Sequence, residues 1–160
     1  MIRSFVAYGQ WANRLLFTGL AGVTPDVLIA PQPGVFGSIL GTAHHAMAMA
    51  EVWQAHLVGA AHGYTNRIPA ADLCLPDIAA RTAAVDAWMA GYVADLSAAA
   101  LAERVAFRFI DGGAGVMTRG EILLHIVNHA TYHRGHIGLM LNAAGVALPA
   151  SDMPVFLGKA

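Results

Sequence analysis

The stretch from Thr118 to Gly145 constrains this chain most, because it carries helix signals at both ends and four histidines at helical spacing between them. Thr118-Arg119-Gly120-Glu121 has the Thr-x-x-Glu spacing of a capping box, in which hydroxyl and carboxylate satisfy each other's free backbone amides. The helix should run to about Ala144, where Gly145 stops it. Three other long segments read as helices. The first runs from Ile2 to Leu20 and ends before Gly22 and the Thr24-Pro25 turn. After a Pro/Gly-rich connection over 30–37, Ser38 is an N-cap for a helix reaching about Val58. Residues 59–75 read as loop. Pro76-Asp77 then opens a third helix over 78–102, rich in alanine and carrying Trp88 and Tyr92. Residues 105–110 alternate like a short strand before Asp111-Gly112-Gly113, a hairpin turn. Four helices of roughly 20 residues with one β excursion predict an all-α, up-down four-helix bundle, a single domain over 1–160.

Composition narrows the function. Of 160 residues, 57% are apolar and only 12% charged, against about 25% charged in an ordinary soluble domain. Nine Lys and Arg balance ten Asp and Glu, so no basic field exists to gather nucleic acid or an anionic membrane. Residues 27–50 lack a formal charge, yet Pro31, Pro33, Gly34, Gly37 and Gly41 interrupt them, which argues against a transmembrane helix. Gln10, Asn13 and Arg14 interrupt any signal-peptide core. A cytoplasmic protein is expected, and the single Cys74 fits a reducing compartment. So little charge over so much apolar surface also predicts burial between two copies, a homodimer.

Eight histidines are the excess that needs a reason. Laid out at about 100° per residue, His125, His136, His129 and His133 fall within about 80° of arc on the last helix. That stripe overlaps the apolar face made by Ile122, Ile126, Ile137 and Met140. His129 and His133 lie nearest its centre, His125 and His136 toward its edge. On the second helix His45 and His56 share the apolar face with Met49, Val52 and Trp53. His44 falls beside Glu51 and Ala55 and is expected to look outward. An isolated buried histidine is ordinarily a hydrogen-bonded core residue. Several on one stripe each need a partner, and buried carboxylates are scarce here. His129 and His133 are spaced i, i+4, so both can meet one metal ion, with His45 or His56 as a third ligand. Trp11, Trp53 and Trp88 read as core, and Cys74 as a structural loop residue with no local partner.

The string His125-Ile126-Val127-Asn128-His129-Ala130-Thr131-Tyr132-His133-Arg134-Gly135-His136 is more specific than its spacing. It resembles the C-terminal signature of the DinB/YfiT-like family, DNA-damage-inducible metal-binding bundles that typically carry Asn-His-x-x-x-His-Arg-Gly-Gln on the last helix. That family also shows a histidine eight residues before a tryptophan on its second helix, as His45 stands to Trp53. The tail Leu148-Pro149-Ala150-Ser151-Asp152 followed by Phe156-Leu157 is similar to the family's end, so the likeness covers essentially the whole chain. The resemblance implies a divalent metal held by His45, His129 and His133. Zinc is the first expectation, with nickel or iron also suited to three imidazoles. His136 replaces the family's usual Gln and Tyr132 a frequent His. Neither change removes a ligand. Arg134 matches the family's arginine and is expected to tie the helix to a carboxylate or carbonyl.

Three imidazoles leave a coordination position open, the feature that separates catalytic from structural zinc. Such a position activates a coordinated water for hydrolysis or ionises a coordinated thiol for attack on an electrophile. The resemblance implies the second use, since relatives include metal-dependent transferases and isomerases that employ thiols such as bacillithiol or mycothiol. The expected activity is therefore thiol S-transfer to small electrophiles. No cysteine lies near the motif, so the low-molecular-weight thiol must be a cosubstrate. A hydrolase and a non-enzymatic metal-binding stress-response dimer are the alternatives. Glu51 falls on the wrong face for a general base and Glu121 is used in capping. That leaves Tyr132 and His136 as relay candidates. Ser38 and Ser97 lack any nucleophile-elbow context.

Overall fold

A computed structural model of the chain describes residues 1–33, 36–67 and 73–158. Gly34 and Val35 of the expected connection, residues 68–72 of the expected loop, and residues 159–160 lie outside the described residues. Four long helices carry the fold: α1 (Ile2–Leu20), α3 (Ile39–Val58), α4 (Leu75–Ala94) and α6 (Arg119–Ala143). Short helices α2 (Pro25–Ile29), α5 (Ala98–Ala102) and α7 (Met153–Leu157) flank them. The strands β1 (Arg104–Arg108) and β2 (Ala114–Thr118) pair antiparallel, with Arg104 opposite Thr118 and Arg108 opposite Ala114. The starts of α3 and α6 are chemically specified. Ser38 Oγ accepts from Gly41 N at 2.9 Å to start α3. Both halves of the capping box form at α6, with Thr118 N donating to Glu121 Oε2 at 2.6 Å and Glu121 N to Thr118 Oγ1 at 3.2 Å. Gly145 follows α6 at φ 77°, a backbone that costs glycine nothing.

α6 packs against α1 and α3, and α4 closes the bundle against the same two helices. The core has two parts. One centres on Leu20, Ile39, Met47, Ile78, Ile137 and Leu141, the other on Val6, Trp53, Met89, Phe107, Leu123 and Val127. Each such side chain, taken fully out of water, contributes about 1.5–3 kcal/mol. Phe107 on β1 meets Trp53 of α3 with ring centroids 4.8 Å apart, which docks the hairpin on the bundle. Trp11 and Trp88 are half-buried against that same cluster. Among the described residues, no helix is long and apolar enough to cross a membrane.

The structure corrects three expectations. The third helix does not continue over 78–102: it starts at Leu75, ends at Ala94, and residues 95–97 separate it from α5. Ser97 causes the restart, its Oγ accepting from Ala100 N at 3.1 Å. Such side chains compete with the helical ladder, and α5 buries no residue whose packing would hold a straight helix. His44 does not look outward. It is 6% exposed, because α3 is covered by α4 on that side as well as by α6. Burial first, then Arg81, lowers its pKa, with Glu51 opposing. Cys74 does have a local partner: it is exposed at the N-cap of α4 and its Sγ donates to Asp77 Oδ2 at 2.9 Å.

One polar connection crosses the apolar interior. Arg134 Nη1 donates to Asn13 Oδ1 at 2.7 Å, and Asn13 Nδ2 donates to both Asp86 oxygens, at 3.2 and 3.0 Å. Arg134 thus ties α6 to an amide carbonyl on α1, and through it to a carboxylate on α4. Burial pushes the Asp86 carboxyl up to about 6 against the pull of Asn13 and Arg134. Arg134→Leu is expected to lower the urea-measured unfolding free energy by about 2–3 kcal/mol at pH 7, because Asp86 loses its compensating charge. The loss should be smaller at pH 5, where Asp86 is protonated in the folded state. An equal loss at both pH values would contradict this account.

Candidate metal centre

Helices α3 and α6 bring together His45, His129 and His133. His45 and His133 are buried, at 4% and 3% exposure, and His129 is half-buried. One ring nitrogen from each lies within 4.8 Å of the others, a group able to hold a metal ion. The centroids are 5.3 Å apart for His45–His129, 4.8 Å for His45–His133 and 4.4 Å for His129–His133. His129 Nε2 and His133 Nε2 approach to 3.1 Å. Two nitrogens bonded to one tetrahedral zinc at about 2.0–2.1 Å would sit about 3.3 Å apart, so the donors are nearly spaced for a shared ion.

The protonation states suit that role. His45 Nδ1 meets the carbonyl oxygen of Arg67 at 2.6 Å. A carbonyl can only accept, so Nδ1 carries the proton and Nε2 keeps its lone pair. Burial is the main cause that lowers His129 to about 3, helped by His133, His45 and His125. Burial likewise lowers His133 to about 4, with His45 and His136 adding to it. All three imidazoles are neutral near pH 7, the form that binds metal.

Phe36 roofs the group. Its ring stacks on His45 at 3.7 Å between centroids with planes 11° apart, and meets His133 edge-on at 5.4 Å. Phe36 holds φ at 34°, in the left-handed region, so backbone strain is spent on placing that ring. Gly41 makes this possible, since a Cβ there would lie 2.1 Å from the Phe36 carbonyl oxygen.

The remaining sequence candidates stand around this centre. His125 packs between Trp53, at 4.8 Å, and His129, at 5.6 Å, outside the ligand group. His56 contacts Trp53, His62 and Phe107 on the hairpin side. Tyr132 is exposed, with its ring 5.1 Å from His133 and 4.3 Å from His136. The Nδ1 atoms of His133 and His136 are buried without a hydrogen-bond partner among the described residues. Glu51 is taken by Arg81 and Tyr64. Sequence reasoning missed Phe36, the Arg67 carbonyl and the Asp86–Asn13 pair. Asp86, an acidic residue in the middle of an alanine-rich helix, was the available signal for the last. Nothing local marked the other two.

Comparison with known proteins bears on the family and the fold. The model of the DinB family matches residues 1–160. A 46-residue segment is 48% identical to Protein DinB of Bacillus subtilis strain 168, spanning 28% of this chain and 27% of that protein. The crystal structure of a DinB-like protein from Bacillus cereus ATCC 10987 superposes with a TM-score of 0.67 at 20% identity. That superposition covers 91% of this chain and 94% of the other, and shows a shared fold.

The lowered imidazole values set a pH dependence. The unfolded chain protonates its histidines near pH 6.5, whereas folded His133 and His129 resist until about 4 and about 3. The unfolded state therefore binds more protons between these values, and metal-free stability falls as pH drops from 6.5 toward 4. Asp86 acts oppositely over part of that window, but with a smaller shift. Thermal unfolding of chelator-treated protein at pH 7, 6 and 5 should show a falling midpoint. The decline should be shallower in His129→Leu. A midpoint that rises on acidification would refute the neutral-imidazole assignment.

Proposed function

The chain belongs to the DinB family, and from that premise we propose that it is a divalent-metal protein whose ion is held by His45, His129 and His133. The observation that carries this reading is the convergence of three neutral ring nitrogens within 4.8 Å on two packed helices. Zinc suits the all-nitrogen donor set best, with nickel and iron as competitors that availability decides. When bound by three protein ligands, such an ion supplies an open Lewis-acidic position that lowers the pKa of a coordinated thiol.

The activity we assign is thiol S-transfer to a small electrophile, with a low-molecular-weight thiol as cosubstrate. Support comes from the chain's own residues. Cys74, the single cysteine, sits at the start of α4 and bonds Asp77 instead of approaching the histidines, so no internal thiol competes. Phe36 presents an apolar wall that keeps water from the face of His45. The Tyr132 ring lies 5.1 Å from His133 and 4.3 Å from His136, which supports Tyr132 as proton donor and His136 as its relay. The protein acts in the cytoplasm, where Cys74 stays reduced. It pairs with a second copy through the outer face of α6, where Leu124 and Leu139 are 45% and 71% exposed.

Metal content by mass spectrometry on untagged protein tests the site. About one equivalent is expected in wild type and little in His45→Ala, His129→Ala or His133→Ala, each still helical by circular dichroism. Unfolding of these variants would instead assign the ion a structural role. Absence of metal from wild type would end the reading. In cobalt-substituted protein, added thiol is expected to change the visible absorption spectrum; an unchanged spectrum would remove the transferase assignment and leave metal binding alone.

A further inference from the structure

Tyr64 ties the loop that follows α3 to the bundle, and three residues farther on the loop's backbone reaches a metal-site histidine. Tyr64 OH donates to Glu51 Oε2 at 2.5 Å. Arg81 on α4 donates to Glu51 Oε1 at 2.8 Å, to Glu51 Oε2 at 2.5 Å and to Tyr64 OH at 2.7 Å. The loop, α3 and α4 are thereby joined in a closed ring of charge-assisted hydrogen bonds. Burial, reinforced by Glu51, pushes the Tyr64 phenol up to about 12, so it remains a donor. Three residues farther on, the carbonyl of Arg67 accepts from His45 Nδ1 at 2.6 Å.

The segment between α3 and Arg67 has no regular secondary structure, and most of it is exposed. Ordering such a segment costs backbone entropy at every residue, which local bonds must offset. The ion pair between Arg67 and Asp111 can offset little, since its side chains are 58% and 62% exposed. The Tyr64 ring is half-buried and made of several bonds at once. Glu51 and Arg81 lie outside the ligand group, and the loop that they hold reaches His45 through the Arg67 carbonyl.

We propose that the Tyr64–Glu51–Arg81 ring is a positioning device for His45: it pins the loop so that the Arg67 carbonyl holds Nδ1–H and Nε2 faces His129 and His133. The proposal rests on the metal-binding reading above and adds residues that touch no ligand atom. A partner that fixes the tautomer of a ligating histidine changes metal affinity by about 10–100-fold when lost. Tyr64→Phe removes one oxygen, leaves the carbonyl in the chain, and loosens this partner instead of deleting it.

Two measurements decide it. Zinc affinity by chelator competition should weaken about tenfold in Tyr64→Phe, at the low end of that range. Glu51→Gln, which keeps the shape and weakens the ring, should move affinity the same way. Tyr92→Phe is the control. Its hydroxyl joins a similar Tyr–Arg contact with Arg119 and the Leu57 carbonyl, about 18 Å along α3 from His45 by helical rise. Wild-type affinity in Tyr64→Phe, or an equal loss in Tyr92→Phe, overturns the proposal. Nitrogen-15 spectra of metal-free protein supply the second readout. His45 should be the Nδ1–H tautomer in wild type and a mixture in Tyr64→Phe. An unchanged tautomer overturns the proposal even if wild type binds no zinc, an outcome that by itself refutes only the metal reading.

Discussion

The seating of α3 against α6 is the contact on which the rest of the site depends. It takes one buried imidazole from α3 and two from successive turns of α6 and sets their nitrogens within 4.8 Å. The same contact withdraws water from all three rings, and this withdrawal is the first cause of their lowered pKa values. Packing energy and site chemistry are therefore one phenomenon. Burying Ile137, Met47 and Leu141 stabilises the bundle, and the histidines between them are held neutral against a solvent that would protonate them.

A protein with so few charges must place them economically. Arg134 is spent across the interior, reaching Asp86 through the Asn13 amide and fixing the turn of α6 that carries His133. Arg81 is spent on Glu51 and Tyr64, holding the loop that brings a carbonyl to His45. Arg119 is spent at the opposite end, where it ties Glu103 and the Tyr92 hydroxyl beside the start of α6. Each arginine links segments distant in sequence. Together they locate the two helices that carry the histidines.

Much of the helix layout was legible because its signals are local. Ser38 and Thr118 cap through atoms three residues away, and Gly145 ends a helix by its own backbone. The hairpin was announced by Asp111-Gly112-Gly113. The break before α5 was not legible, since an alanine-rich run reads as helix until a side chain such as Ser97 intervenes without packing to resist it. His44 was misplaced for a related reason. A helical wheel orders residues around one axis, but the number of covered sides depends on neighbours, and α4 covers the side that looked free.

The division at the site follows the same physics. Sequence alone determined that His129 and His133 share a face one turn apart, because helical periodicity does not depend on tertiary context. It also left His45 and His56 equivalent on the apolar face of α3, and only the family signature preferred one. Tertiary structure decided between them in space: His45 meets the α6 pair, while His56 lies on the hairpin side against Phe107 and His62. Only tertiary structure could place Phe36 over His45 or the Arg67 carbonyl against its Nδ1. Those contacts bring to His45 two residues, 9 and 22 positions away, that lie in irregular backbone. Such backbone has no period from which a side chain's direction can be read.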